Sequence, residues 1–168
     1  MRQFYFGGKF DFEYKDFSIN NLSKDYRSII LGDVNKILYP PKNDNKTIEL
    51  NKDKLYVGPY YFYEENLSSE EIVKNEFNMV EKSTDIIFLL NNDPCPGTIT
   101  ELMHASFTNK NIYIFYIKIE ADDGEPKDKI KSKQWYPIIF SQLINNNIHI
   151  FECNNKQEAI DKIKDILC

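Results

Sequence analysis

The sequence predicts a single α/β domain with a mostly parallel sheet, and three observations lead to this fold class. Short apolar runs that suit strands alternate with segments of helical periodicity. Two of these runs, residues 86–90 and 112–117, are almost wholly apolar, as expected of strands covered by helices on both faces. A chain of 168 residues suits one compact domain. We therefore expect a flavodoxin- or Rossmann-like three-layer sandwich of about five strands, spanning residues 1–168.

The first half of the chain predicts two short strands. Residues 3–6 form an apolar and aromatic run that stops at Gly7-Gly8, where a turn is expected. A second strand is expected at residues 55–57, closed by Gly58-Pro59. Residues 11–54 show no comparable pattern, and the sequence assigns them no purpose.

A helix is expected to begin at Ser68 or Ser69 and to run to about Lys82, because apolar residues recur at helical spacing there. The remaining predicted elements are a strand at 86–90, a short helix around 102–106, a strand at 112–117, a helix at 135–143, a strand at 148–151 and a helix at 156–167. Strands and helices in this alternation favour right-handed crossovers and a parallel sheet.

Composition narrows the classes of partner. The formal net charge of -5 argues against a nucleic-acid backbone as the main partner. No apolar run approaches the roughly 20 residues that span a membrane, and the N-terminus lacks the apolar core of a secretory signal. The three cysteines have no metal-ligand spacing. We therefore expect a cytoplasmic protein with reduced thiols and without a metal, a cofactor or a membrane partner.

The most informative segment is residues 85–107, in which an apolar strand ends in the turn-rich stretch 91–97 and a helix carrying Glu101 follows. Open α/β sheets bind ligands in the crevice beyond the carboxyl ends of their strands. An alternative stands beside this one, because residues 98–101 match the S/T-x-x-E pattern of a helix-capping box. The spacing of these residues alone favours a capping role for Glu101.

Two segments carry a family resemblance. The N-terminal FYFGGKF, residues 4–10, resembles the first strand and glycine turn of the nucleoside 2-deoxyribosyltransferase family. PGTITELMHA, residues 96–105, resembles that family's glycine loop and catalytic helix, with the pattern G-x-x-x-E-L-x-x-A. The same pattern occurs in relatives that hydrolyse the N-glycosidic bond of nucleotides.

The resemblance implies that Glu101 is the nucleophile and places the family's acidic residue near Glu76, although the spacing to Asp85 is one residue longer here. Glu81 and Asp85 are weaker alternatives for the acid. Asp85 also suits the polar position at which a helix leads into a strand. His104 and His149 fit structural roles better than catalytic ones.

The expected substrate-binding residues belong to the glycine turns and the start of the helix. The resemblance implies that Gly7 and Gly8 let the sugar approach the backbone, and Gly97 matches the loop glycine. Thr98 and Thr100, the latter where many members have a second glycine, are expected to bind a ribose oxygen or phosphate through amides and hydroxyls. Candidates for stacking on the base are the aromatic residues Tyr5, Phe10, Tyr60 and Tyr61, although the cluster at 60–63 fits the core or a subunit interface better.

The resemblance therefore implies cleavage or transfer at the N-glycosidic bond of a nucleoside or nucleotide through a glutamate nucleophile, in a homo-oligomer. Two alternatives remain open. One is a glycohydrolase that releases nicotinamide from a dinucleotide, and the other is a nucleotide-sensing module without turnover.

Overall fold

The computed structural model describes residues 1–9, 19–43, 45–61, 67–91, 93, 95–119, 130 and 132–168. Its strands are β1 (Arg2–Gly7), β2 (Ile48–Asn51), β3 (Lys54–Gly58), β4 (Asp85–Leu90), β5 (Asn111–Ile117) and β6 (Ile148–Cys153). Its α-helices are α1 (Ile19–Leu22), α2 (Tyr26–Leu31), α3 (Ser69–Lys82), α4 (Pro96–Ser106), α5 (Trp135–Ile144) and α6 (Lys156–Leu167). A short 3₁₀ helix, Val34–Ile37, follows α2.

The described strands form one sheet in the order β2-β3-β1-β4-β5-β6. All neighbours pair in parallel except β2 and β3, which form an antiparallel pair at one edge. The predicted mostly parallel α/β sheet is confirmed, with six strands in place of about five. The prediction missed β2 because this four-residue edge strand is only partly buried and mixes apolar with polar residues.

The core has two halves, one on each face of the sheet. In β1, Phe4 and Phe6 pack toward α2 and α6, whereas Tyr5 between them packs toward α3, α4 and α5. This alternation follows from the two-residue period of a strand, which sends successive side chains to opposite faces. Helices on both sides of the sheet complete the three layers that the sequence predicts.

Local signals place the long helices where the sequence predicts them. Ser68 caps α3 in a capping box with Glu71, and Asn155 caps α6 by accepting a hydrogen bond from the amide of Glu158 at 3.0 Å. The sequence did not predict α1, α2 or the 3₁₀ helix, all of which lie within residues 11–54. No helix among the described residues is long and apolar enough to cross a membrane.

Candidate active site

The strand order places a topological switch point between β1 and β4. The chain leaves β1 toward β3 on one side and continues from β4 toward β6 on the other, so the two connections diverge there. Ligands of open α/β sheets bind in the crevice that such a reversal opens at the carboxyl ends of the strands. Gly7-Gly8 ends β1 at this edge, and the turn after β4 leads into α4.

Glu101 lies on the second turn of α4, the helix that follows the carboxyl end of β4. The N-cap of α4 is Cys95 and its first residue is Pro96, so Thr98 is already the third helical residue. The capping-box alternative for residues 98–101 is therefore wrong, because Thr98 does not occupy the N-cap. Glu101 is buried, with 8% of its surface exposed.

The surroundings of Glu101 act on its ionisation in opposite directions. Burial and, to a lesser degree, the negative charge of Glu76 raise the pKa of Glu101, which lies at about 7. The Tyr5 hydroxyl and the positive charge of Arg27 act the other way and lower it. A carboxylate with a strongly perturbed pKa in a cleft is a physical indication of a functional site.

Glu76 lies on α3, half-buried, and its charge reaches Glu101 across the packed pair of helices. The structure thus brings together the two carboxylates that the resemblance implies. Of the weaker alternatives for the acid, Glu81 lies five residues after Glu76. Its Oε1 is 2.7 Å from Nε2 of His104. The ring of Phe77 also contacts the His104 ring, at 4.8 Å between centroids, so this histidine joins α3 to α4.

Asp85 lies at the amino end of β4, whereas Glu101 lies beyond the carboxyl end of the same strand. Its carboxylate accepts hydrogen bonds from Arg2 (3.1 Å from Nε), Thr84 (2.7 Å) and Asn111 (3.1 Å). Burial opposes ionisation, but these donors hold the pKa of Asp85 below its ordinary value. Asp85 is therefore the polar residue that opens the strand, and it takes no part in the candidate site.

The interpretation of Tyr5 as a stacking residue is wrong. Its ring is fully buried in the half of the core beneath α3 and α4, so no base can stack on it from the crevice. Its hydroxyl instead favours the ionised form of Glu101 and lowers the pKa of that carboxyl. Tyr60 is also buried in the core, and its hydroxyl donates to the carbonyl of Lys46 at 3.0 Å. Phe10 lies outside the described residues.

Gly7 and Gly8 are required by packing of the sheet itself. A Cβ on Gly7 would lie 2.3 Å from a ring carbon of Phe88. Gly8 has a φ of +136°, and a Cβ there would lie 2.7 Å from the carbonyl oxygen of Leu89. Close contact between the ends of β1 and β4 therefore accounts for both glycines, and their expected approach to a sugar stays a prediction.

The start of α4 differs, because a Cβ added to Gly97 would meet no described atom within 4 Å. The amide of Ile99 already donates to the Cys95 carbonyl at 3.0 Å. Since Pro96 has no N–H, the first turn offers the amides of Gly97 and Thr98. The expectation that amides up to Thr100 are available is wrong, and the Thr100 hydroxyl donates to the Pro96 carbonyl at 2.8 Å.

Residues that follow β4 are held by hydrogen bonds from the residue that precedes α5. The side-chain amide of Gln134, which precedes the first residue of α5, donates to the carbonyls of Asn91 (3.0 Å) and Asp93 (3.1 Å). Gln134 is buried, so these bonds are partly shielded from water. One wall of the crevice is thereby tied to the late part of the chain, which the sequence had not indicated.

The other wall is held by α2, which the sequence missed altogether. Tyr26 donates from its hydroxyl to the Gly7 carbonyl at 2.7 Å, and Arg27 donates from Nε to the Phe6 carbonyl at 2.8 Å. A sequence signal was available, because Asp25 caps α2 and Gly32 ends it with a φ of +70°. The burial of Arg27, however, is a tertiary property that no local pattern reveals.

A cavity of about 560 Å³ lies elsewhere, between α3 and the β2–β3 hairpin. Its lining includes Lys46, Tyr60, Lys74 and Asn78 but not Glu101. We place the candidate site at the switch point because the buried carboxylate with a raised pKa lies there. Among the described residues, no group of three or more His, Cys, Asp and Glu side chains is arranged to hold a metal ion.

No family model matches this chain, and no curated protein matches it. Among solved structures, the chain is similar to a CMP N-glycosidase of Clostridium botulinum, BcmB, with 19% sequence identity and a TM-score of 0.43. The match covers 56% of this chain and 73% of the other. At this score and identity it carries no argument about the chemistry of the present site.

Proposed function

We propose that the protein cleaves the N-glycosidic bond of a nucleoside or nucleotide and that Glu101 is the group that acts on the anomeric carbon. The observation that supports this most directly is a buried glutamate with a raised pKa at the switch point of an α/β sheet. The glutamate also occupies the position that the family resemblance implies for the nucleophile. Its neighbour Glu76 supplies a second carboxylate.

In the proposed reaction, the bond between C1′ and the base nitrogen breaks through a transition state with oxocarbenium character. The Glu101 carboxylate stabilises the positive charge on C1′ or bonds to it as a glycosyl ester. The departing nitrogen takes a proton from Glu76 or from a water molecule. Water, or the nitrogen of a second base in a transfer, then attacks C1′ and gives up a proton to Glu76; where the glycosyl ester has formed, its bond between C1′ and Glu101 breaks in this step.

The protonation state of Glu101 limits this reaction on the acid side. With a pKa of about 7, roughly half of the Glu101 side chains are ionised at neutral pH, and ionisation is needed for attack on C1′. The Tyr5 hydroxyl and the Arg27 charge both favour the ionised form. We therefore expect kcat/KM to rise with pH through about 7, whereas a role of Glu101 as the acid would make it fall there.

The start of α4 is the proposed contact for the sugar or its phosphate. Gly97 is exposed and has open space at its Cα, and the amides of Gly97 and Thr98 lie at the positive end of the helix dipole. A 5′-phosphate or ribose hydroxyl bound there would lie one helical turn from Glu101. Binding there would orient the anomeric carbon toward the Glu101 carboxylate.

The test is a substrate panel analysed by chromatography for free base. The wild-type protein is incubated with nucleosides, deoxynucleosides, their 5′-monophosphates and NAD, with and without a second free base. We expect release of a base from a nucleoside or nucleotide and no release by Glu101→Gln. Release of nicotinamide alone would favour the dinucleotide glycohydrolase. Thermal stabilisation by a nucleotide without product after long incubation would identify a sensing module and refute catalysis.

A further inference from the structure

Arg27 is one of two arginines in the chain, and its side chain is completely buried. Its Nη1 donates to both carboxylate oxygens of Asp25, at 3.1 and 3.0 Å, and this carboxylate is also completely buried. The same guanidinium donates from Nε to the carbonyl of Phe6 and from Nη2 to the carbonyl of Gly8. With the bond from Tyr26 to Gly7, three successive carbonyls at the end of β1 are held by α2.

Holding a turn with a buried guanidinium costs free energy, because a buried charged pair loses its hydration whereas an apolar pair does not. The rigid fork of arginine fits two carbonyls and a carboxylate together, which a lysine ammonium could not do with the same geometry. The position therefore uses both properties of the residue, its fork and its fixed positive charge.

We propose that Arg27 is a positioning residue of the candidate site, which fixes the Gly7-Gly8 turn through its fork and holds its positive charge toward Glu101. The proposal deepens the proposed function and rests on it for the catalytic consequence. Residues 25–27 thus have a role, although the pattern of the segment that contains them, residues 11–54, predicts none. Arg27 contacts no reacting atom and acts through the turn and the carboxylate.

Several groups besides Arg27 act on Glu101 from the elements packed around it. Glu76 of α3 opposes its ionisation, and the Tyr5 hydroxyl of β1 favours it. On α4 itself, His104 is bound to Glu81. Arg27 is thus the described cation whose charge acts on Glu101, and it lies on the opposite side of β1 from α4.

The experiment compares variants that separate charge from geometry. Arg27→Gln alone would leave the Asp25 carboxylate buried without its partner, so Asp25→Asn with Arg27→Gln is the variant expected to fold. Arg27→Lys keeps the charge and removes the fork. Arg2→Gln is the matched control, because Arg2 binds Asp85 at the amino ends of β1 and β4, away from Glu101. Each variant is first checked for a cooperative thermal transition.

The first readout is the titration of the Glu101 carboxyl carbon, followed by NMR in the protein without substrate. In the Asp25→Asn/Arg27→Gln variant we expect the midpoint to rise, because the positive charge that favours the Glu101 carboxylate has been removed; the simultaneous loss of the Asp25 charge makes this rise smaller than the full effect of Arg27. Arg27→Lys should keep the wild-type midpoint, and so should Arg2→Gln. An unchanged midpoint in the folded double variant, or equal changes in the control, would overturn the proposal.

The second readout is the pH dependence of kcat/KM on the nucleotide that the wild-type protein cleaves. The acid limb should move to higher pH in the double variant, in step with the titration. Arg27→Lys should raise KM while the limb stays in place, because the turn loosens but the charge remains. A uniform loss of rate without movement of either quantity would assign Arg27 a structural role only. If the wild-type protein cleaves nothing, the proposed function fails, while the titration still decides the action of Arg27 on Glu101.

Discussion

Replacement of Glu101 by glutamine should stabilise the protein at alkaline pH while removing its activity. The ordinary pKa of a glutamate is 4.5, and the native environment raises the pKa of Glu101 to about 7. The folded protein therefore binds more protons than the unfolded chain between these values, and its stability falls as pH rises through them. Above pH 7, the buried charge costs at most roughly 3 kcal/mol, at about 1.4 kcal/mol for each pKa unit.

Glutamine has nearly the same shape as glutamate, but it carries no charge to bury. The cost is absent in the wild-type protein below pH 4.5, where the carboxyl is protonated in both states. The variant should thus melt at the same temperature as the wild type in acid. Near pH 8.5 it should melt up to roughly 6 to 12 °C higher, by the usual relation for a chain of this size.

The assay is calorimetric or fluorescence-detected melting of both proteins from pH 4.5 to 8.5, with base release measured on the same samples. Glu71→Gln is the control of opposite sign, because hydrogen bonds from Ser68 hold the pKa of this capping carboxylate below its ordinary value. It should lower the melting temperature at neutral pH. A Glu101→Gln variant that is destabilised equally at every pH, or that still releases base, would refute the assignment of Glu101.

Four further predictions concern the candidate site. Tyr5→Phe removes a hydroxyl that favours the carboxylate, so the acid limb of kcat/KM should move to higher pH; a limb in its wild-type position would contradict this role of Tyr5. Glu76→Gln removes a repelling charge, so the limb should move to lower pH, and kcat should fall if Glu76 protonates the base. Gly8→Ala introduces a Cβ 2.7 Å from a backbone oxygen at positive φ and should cost roughly 2 kcal/mol or more in denaturant unfolding. Gly97→Ala places a methyl group in open space and should change the free energy of unfolding by less than about 1 kcal/mol. An unaltered KM in this variant would contradict sugar or phosphate binding at the first turn of α4.

The elements with strong local patterns were predictable. Helix α6 has the predicted bounds, and α3 begins after Ser68 as the capping signature indicates. The two apolar strands β4 and β5 differ from their predicted ranges only by one residue at the start. In each of these segments local propensity, hydrophobic period and burial agree, so the pattern alone is informative.

Prediction failed where a local pattern had more than one physical outcome. Residues 98–101 fit a capping box, but Pro96 can open a helix because its missing N–H is not needed there, so the helix begins earlier. Tyr5 suits a stacking platform in sequence, but the alternation of β1 turns it into the core. Tyr60 was assigned to the core or an interface as the better alternative, and its burial agrees with the core.

The sequence by itself determined the order of strands and helices from β3 onward, the mostly parallel architecture and the position of a glutamate on the helix after the central strand β4. These follow from short-range periodicity and from the handedness of crossovers. Only the tertiary structure decided what acts on that glutamate. Tyr5 and Glu76 come from different layers, and Arg27 comes from a segment without a recognisable pattern. Burial and charge depend on distances across the sheet, and no spacing along the chain encodes them.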